Sequence, residues 1–206
     1  ETTWSVVFRD LVDRGLKGVQ LVISDDHKGL RSAIERYFQG CQWQRCQVHY
    51  LRNLLGMVPK KYSKVLADQF RDIFNAPDRN TAYTRVKELV SFHAEKLPRV
   101  AEFLEETADE VLACFNFPEE HRRRIRTTNG LERLHEEIRR RTRVVRIFPD
   151  EQACLRLVSA LAAEQHDLWV SGRLYLNMQP LNEINTEVHN PVTPIPETLD
   201  PILQNF

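Results

Sequence analysis

The stretch VQLVISDDHKGL, residues 19–30, decides the fold class. Its apolar run, residues 19–23, is typical of a buried strand, and a helical period follows over residues 29–38. Residues 43–48 predict a second strand. Because strand, helix and strand follow one another so closely, we predict a βαβ unit with parallel strands and an α/β fold class.

Two adjacent carboxylates, Asp25 and Asp26, follow the first predicted strand. In open parallel sheets, ligands and catalytic groups gather at the carboxyl ends of the strands. A hard divalent cation such as Mg²⁺ is held by one or two carboxylates together with substrate phosphate and water, so Asp25 is a candidate metal ligand. The alternative is that Asp25 or Asp26 caps the helix that begins near Lys28.

The remaining pattern is mostly helical. A short helix is predicted over residues 3–14, and the helical pattern of residues 50–126 is broken near its prolines, which indicates an all-helical insertion. Two further helices are predicted over residues 129–143 and 150–169. The second of these is amphipathic and is expected to pack on the sheet.

Positive charge is concentrated in one window, although the whole chain has 29 basic and 29 acidic residues. Residues 121–146 contain ten arginines and three acids, so a polyanion should meet the chain there. The alternative is a solvated helix face that binds nothing. The candidate anion-binding residues are Arg122, Arg123, Arg124, Arg126, Arg133, Arg139, Arg140, Arg141 and Arg143.

Glu132 lies at the start of this arginine-rich helix, after Thr127, Thr128 and Asn129. At about 100° per residue, Glu132 falls on the same stripe as two arginines, which suits a metal-binding acid beside phosphate-gripping guanidinium groups. Two ordinary explanations compete with this role. Asn129 and Glu132 have the spacing of a capping box, and Glu132 could form a surface ion pair.

Cys46 and His49 have the short spacing of half a zinc site. A structural zinc needs four ligands and no second half is evident, so packed, reduced side chains are favoured and zinc is not expected. With four scattered cysteines, no long apolar run and no signal-like N-terminus, we expect reduced thiols, no membrane association and a cytoplasmic protein. The final segment, residues 179–206, is rich in proline and is predicted to be disordered.

Taken in order, these stretches resemble the bacterial Mutator-type insertion-sequence transposases over about residues 3–178. The stretches that carry the resemblance are Arg14-Gly15-Leu16, Val22-Ile23-Ser24-Asp25, Gly29-Leu30, Trp43-Gln44-Arg45-Cys46-Gln47-Val48-His49, Arg52-Asn53, Thr127-Thr128-Asn129, Leu131-Glu132-Arg133, Glu137-Ile138-Arg139-Arg140-Arg141-Thr142, Phe148-Pro149 and Ala163-Glu164-Gln165-His166.

The resemblance implies a ribonuclease H-like sheet interrupted by an all-helical insertion. The core would then comprise residues 1–58 and 127–178, separated by an insertion over residues 59–126. Asp25 would be the second acid and Glu132 the third of an Asp-Asp-Glu triad that binds Mg²⁺, or Mn²⁺ in its place. The nine arginines would bind DNA, Thr127, Thr128 and Asn129 would support the motif, and the partners would be insertion-sequence ends, target DNA and further transposase copies.

The chain departs from the family pattern at the first acid. Family members carry that aspartate on an earlier strand, whereas Asp10 and Asp13 lie in a predicted helix. The resemblance therefore implies a truncated and inactive portion of a transposase. The main alternative is a non-enzymatic DNA-binding or transposase-assembly module, and a structural helical protein without a nucleic-acid role is a third.

Overall fold

The computed structural model describes residues 3–172 and 174–183. The described residues up to Leu176 belong to one compact unit, and those from Asn177 onward belong to a second. The first unit contains a two-stranded sheet and a series of helices, with a short 3₁₀ turn over Ala113–Asn116. The elements in chain order are α1 (Thr3–Asp13), β1 (Leu21–Ser24), α2 (Lys28–Tyr37), β2 (Gln42–Arg45), α3 (Gln47–Gly56), α4 (Lys60–Phe74), α5 (Arg79–His93), α6 (Pro98–Leu112), α7 (Glu119–Ile125), α8 (Asn129–Val145) and α9 (Glu151–Ser171).

The predicted parallel βαβ unit is confirmed. Strand β1 pairs in parallel with β2, so that Leu21 lies opposite Gln42 and Ser24 lies opposite Arg45. The indole Nε1 of Trp43 also donates to Ser24 Oγ at 2.8 Å. The sheet therefore places Asp25 immediately after the carboxyl end of β1.

The second strand is shorter than predicted. It ends at Arg45, and α3 begins at Gln47. The backbone N–H of Gln47 donates to the carbonyl of Arg126 at 3.0 Å rather than to a neighbouring strand. Gln47 and His49 therefore lie on a helix that starts directly at the sheet edge.

A small core forms where α1 packs on α2. Phe8 and Phe38 contact each other with ring centroids 4.8 Å apart, beside buried Ile34. Helix α1 ends at Asp13, one residue before the predicted end, and is followed by Gly15, whose φ of 99° favours glycine. The N–H groups of Gly15 and Leu16 return to the carbonyls of Val12 and Leu11, which gives the Schellman pattern.

The helices from α3 to α7 follow the proline pattern. Helix α4 begins after Pro59, α6 begins at Pro98, and α7 begins after Pro118. Proline is tolerated in the first helical turn, where its missing N–H has no intrahelical partner. Helix α5 is instead capped by Asp78, which accepts from Thr81 N at 2.8 Å.

Buried polar groups join β2 to this helical layer. Gln44 is fully buried. Its side-chain Nε2 donates to the carbonyl of Val111 at 2.9 Å, and its side-chain Oε1 accepts from Cys114 N at 2.7 Å. Arg45 is also buried and pairs with Glu110 at 3.0 Å. These contacts fix the sheet edge against α6 and the turn that follows it.

Helix α9 does not pack on the sheet, contrary to the amphipathic pattern. Its main contacts are with α8, and Leu161 is its one buried residue among those the structure describes. Asp150 caps its N-terminus by accepting from Ala153 N at 2.6 Å. No helix within the described ranges has the length and apolar character needed to cross a membrane.

The predicted disordered segment, residues 179–206, lies mostly outside the described residues. The part that is described, residues 179–183, is helical. Gln179 Nε2 donates to Glu183 Oε1 at 3.0 Å across this turn. This i, i+4 contact is typical of a local helical turn.

Candidate metal and DNA site

The capping explanation for the two aspartates is wrong. Helix α2 is capped by His27, whose Nδ1 accepts from Leu30 N at 3.1 Å. Asp26 instead lies 3.2 Å from the guanidinium of Arg45. Among the described residues, Asp25 neither caps a helix nor pairs with an arginine, and its half-exposed carboxylate faces α3.

The imidazole of His49 lies between the two predicted metal-binding acids. Its Nδ1 is 2.5 Å from Asp25 Oδ1, and its Nε2 is 3.1 Å from Glu132 Oε1. The Nδ1 atom is buried and has no well-aligned hydrogen-bond partner. The ring therefore separates the two carboxylates and lies within contact distance of both.

Glu132 is not part of a capping box. The N-cap position of α8 is Thr128, and no side chain caps this helix terminus. The N–H of Glu132 donates to the carbonyl of Thr128 at 3.0 Å, as in the body of a helix. The side chain is consequently available to contact His49.

Cys46 holds the start of α8 against the sheet edge. Its fully buried Sγ accepts from Thr128 N at 3.5 Å and lies 3.4 Å from Thr128 Oγ1. The same hydroxyl is 3.4 Å from Glu132 Oε1. These contacts are called the Cys46–Thr128 joint. Together with the hydrogen bond from Gln47 N to Arg126 O, the joint fixes Glu132 relative to Asp25.

Asp25 and Glu132 offer carboxylate oxygens, the kind of donor atom that hard cations prefer, on opposite sides of the His49 ring. Donor atoms of Asp25, Cys46 and His49 lie within 4.8 Å of one another. The sulfur is occupied by Thr128, so the carboxylates are the more available ligands.

The family model described as "Transposase, Mutator family" matches residues 1–172. The chain belongs to the Mutator family of transposases. It is 46% identical over 181 residues to the transposase for insertion sequence element IS406 of Burkholderia multivorans, covering 87% of this chain and 47% of that protein. It is 42% identical over 182 residues to the ISRM5 transposase of Rhizobium meliloti, covering 88% of this chain and 46% of that protein.

A more distant relative is the transposase for IS256 in transposon Tn4001 of Staphylococcus aureus. The two are 39% identical over 180 residues, covering 86% of this chain and 46% of that protein. The chain spans about half the length of the curated relatives it matches.

The arginines of this Mutator-family chain fall into two groups. Some are held by protein groups: Arg122 donates to Pro77 O, Arg126 donates to Phe74 O and Asn75 Oδ1, Arg124 donates to Leu174 O, and Arg140 and Arg141 both contact Glu137. Among the residues that the structure describes, the guanidinium groups of the other four make no ion pair or hydrogen bond. These are Arg123, Arg133, Arg139 and Arg143.

The sequence predicted Asp25 and Glu132 as metal-binding acids but not the contact of His49 with both of them. The Cys46-x-x-His49 spacing had pointed to His49 only as half of a zinc site that was not expected. Sequence reasoning also missed Arg71 and Tyr175, which lie beside the arginine window in the folded chain. Neither has a local sequence signal, because only packing brings residues 71 and 175 to α8.

Proposed function

We propose that the chain forms part of the catalytic centre of a DNA transposase, with Asp25 and Glu132 as metal-binding acids. The observation that carries the proposal is the position of His49 between these carboxylates, at 2.5 and 3.1 Å. The two acids are far apart in sequence, and both are half-exposed. The three side chains come from the end of β1, from α3 and from α8, which supports a shared function for them.

The proposed fold is ribonuclease H-like. Its support here is a parallel βαβ unit with Asp25 just beyond β1, interrupted by helices before Glu132 returns on α8. The carboxyl end of a parallel strand is where such sheets assemble their ligands. The domain boundaries after residues 58 and 126 are part of this proposal.

Asp25 and Glu132 would hold Mg²⁺ or Mn²⁺. When bound, such a cation supplies a low-pKa water or hydroxyl nucleophile and charge stabilisation for attack on a phosphodiester. The protein positions these acids through the Cys46–Thr128 joint and offers arginines to the DNA phosphates. The proposed partners are insertion-sequence ends, target DNA and further copies of the transposase.

Manganese binding tests this proposal without requiring catalysis. We expect the 206-residue chain to bind Mn²⁺ in calorimetric titration, and we expect Asp25→Asn or Glu132→Gln to weaken that binding at least tenfold. Glu136→Gln is the matched control, since Glu136 is on the same helix and makes no contact with His49. Equal binding by all four proteins would overturn the assignment.

Two acids alone make an incomplete two-metal centre, so we expect no strand cleavage by this chain in isolation. A nicking assay with a supercoiled plasmid and Mn²⁺ measures this. Robust nicking that survives Asp25→Asn would contradict the assignment. Salt-sensitive DNA binding without any Mn²⁺ site would instead favour the non-enzymatic assembly module.

A further inference from the structure

A cleft of about 950 Å³ lies beside the start of α8. Residues from α3, α4, α7 and α8 line it, together with Leu174 and Tyr175. Five arginines line the cleft against one carboxylate, Glu120, while Val48 and Phe74 give it an apolar part. A positive cleft with an apolar part suits a ligand that has both phosphates and flat apolar faces.

Two of the five arginines are available for a ligand. Arg71 pairs with Asp68 at 2.6 Å, and Arg124 and Arg126 donate to backbone carbonyls. Arg123 and Arg133 make no such contact with any residue the structure describes. Their guanidinium groups can therefore grip phosphate oxygens without breaking an internal bond.

The first turn of α8 adds backbone donors at the same place. Thr127, Asn129 and Gly130 line the cleft, and no side chain caps the helix. Uncapped N–H groups and the helix dipole favour an anion at the N-terminus of a 17-residue helix. This turn leads directly into Glu132, so a phosphate bound here lies next to the proposed metal-binding acids.

Tyr175 supplies an aromatic face, and two contacts with Arg124 hold its side chain. Its hydroxyl donates to Arg124 O at 3.2 Å, and the Arg124 guanidinium lies 5.2 Å from its ring centroid. The side chain nevertheless remains 61% exposed. A base could stack on this ring, because base–aromatic stacking requires only an accessible π-face.

We propose that this cleft binds an unpaired segment of DNA beside Glu132. Arg123, Arg133 and the first turn of α8 would hold its phosphates, and one base would stack on Tyr175. Paired bases in a duplex are stacked on their neighbours and cannot offer that face, so the aromatic contact selects an unpaired strand. The inference rests on the proposed function, because it takes DNA as the substrate.

Fluorescence anisotropy with a labelled single-stranded oligodeoxynucleotide, and with a duplex of the same sequence, tests the proposal on the 206-residue chain. Tyr175→Ala should weaken single-strand binding roughly 5- to 150-fold, the effect of losing one stacked base. Tyr175→Phe keeps the ring and should restore most of the affinity. Duplex affinity should change less than twofold in both variants.

The arginines are tested through salt dependence. Replacing both Arg123 and Arg133 with alanine should lower the slope of log affinity against log salt by about 1.4 for the single strand, or about 0.7 for each lost phosphate contact. Arg140→Ala/Arg141→Ala is the matched control, because it also removes two arginines and both lie on α8. Both control residues are already paired with Glu137, so the slope should change less.

The outcomes separate this inference from the function on which it rests. Unchanged single-strand binding in the Tyr175 and arginine variants overturns the inference, as does an equal loss of duplex binding in Tyr175→Ala. If neither form of DNA binds at low salt, the proposed function fails with it. If Tyr175-dependent binding is present but Mn²⁺ binding does not depend on Asp25, the cleft stands and the metal assignment falls.

Discussion

At the scale of single residues, the contact between Cys46 and Thr128 decides where Glu132 lies. The sulfur is fully buried and accepts from the backbone N–H of Thr128, whose hydroxyl also lies near Glu132. A buried N–H that loses its acceptor carries the full cost of its desolvation. The position of Glu132, the third proposed acid, is thus coupled to the thiol of Cys46.

We expect Cys46→Ala to lower the free energy of unfolding by about 1–2 kcal/mol and to speed amide exchange at Thr128. Urea denaturation and hydrogen exchange measure the two effects. Cys154→Ala, on α9, is the control and should change exchange at Thr128 little. Unchanged protection of Thr128 in Cys46→Ala would show that the sulfur does not hold α8.

Glu137 gives a pH-dependent prediction. Hydrogen bonds from Arg140 and then Arg141 lower the pKa of its carboxyl group from 4.5 to about 2. Since the pKa is lower in the folded chain, the interaction stabilises the fold fully above pH 4.5. That contribution is lost as the pH falls toward 2.

Carboxyl-carbon NMR should therefore give a Glu137 titration midpoint well below 4.5. The variant Arg140→Ala/Arg141→Ala should move the midpoint upward toward the ordinary glutamate value, because both hydrogen-bond donors are removed. A midpoint that is the same in both proteins would mean that these arginines are not held by Glu137 and are open to other anions.

Residue types and spacing made Asp25 and Glu132 candidates, and the resemblance to the transposase family favoured them as metal-binding acids. Their mutual contact through His49 could not be predicted in this way. The ring touches Asp25 beyond β1 and Glu132 on α8, so its environment exists only after α3 and α8 have docked. Local periodicity contains no information about that docking.

At the scale of secondary-structure elements, the seam between β2 and α6 depends on one buried charge cluster. The side chain of Arg45 is 4% exposed and pairs with Glu110 and Asp26. Glu110 also binds Arg31 at 2.7 Å. Removing one partner of a buried ion pair is strongly destabilising, because the remaining charge stays buried.

We expect Glu110→Ala to lower the free energy of unfolding by about 2–3 kcal/mol, below the upper range for buried pairs because Asp26 still faces Arg45. Asp109→Ala is the neighbouring control. Asp109 is largely exposed and lies 3.6 Å from Arg79, so its loss should cost less than about 0.5 kcal/mol. Urea denaturation distinguishes the two, and equal effects would refute the role of the cluster.

Element boundaries were predictable where proline sets them. Pro59, Pro98 and Pro118 lie at or just before the helix starts, as the missing N–H requires. The end of β2 was not predictable, because the N–H of Gln47 pairs with Arg126, far along the chain. The extended pattern of residues 46–48 gives way to a helix for that tertiary reason.

At the scale of the whole molecule, α9 leaves much of its apolar surface uncovered. Leu161 and Leu168 lie seven residues apart and thus share a helix face, but Leu161 is 9% exposed and Leu168 is 60% exposed. The first half of α9 is therefore packed against the rest of its unit, whereas Leu168 in the second half is largely in solvent. The amphipathic pattern predicted the helix but not where its packing ends.

Two matched leucine-to-alanine substitutions measure how far the packing of α9 extends along the helix. Leu161→Ala should lower the free energy of unfolding by about 2 kcal/mol, since it empties a packed position. Leu168→Ala should change it by less than about 0.5 kcal/mol, because the side chain is already in solvent. A large loss from Leu168→Ala would mean that this end of α9 is covered in solution, for example by another copy of the chain.

The hydrogen bond from Gln47 N to Arg126 O has a consequence for how such proteins can diverge. It brings the two ends of the segment from α3 to α7 to a single point. Loop closure becomes only about 0.6 kcal/mol costlier for each doubling of loop length. Insertions in the outer turns of this segment could thus change the surface around the cleft while Asp25 and Glu132 keep their separation.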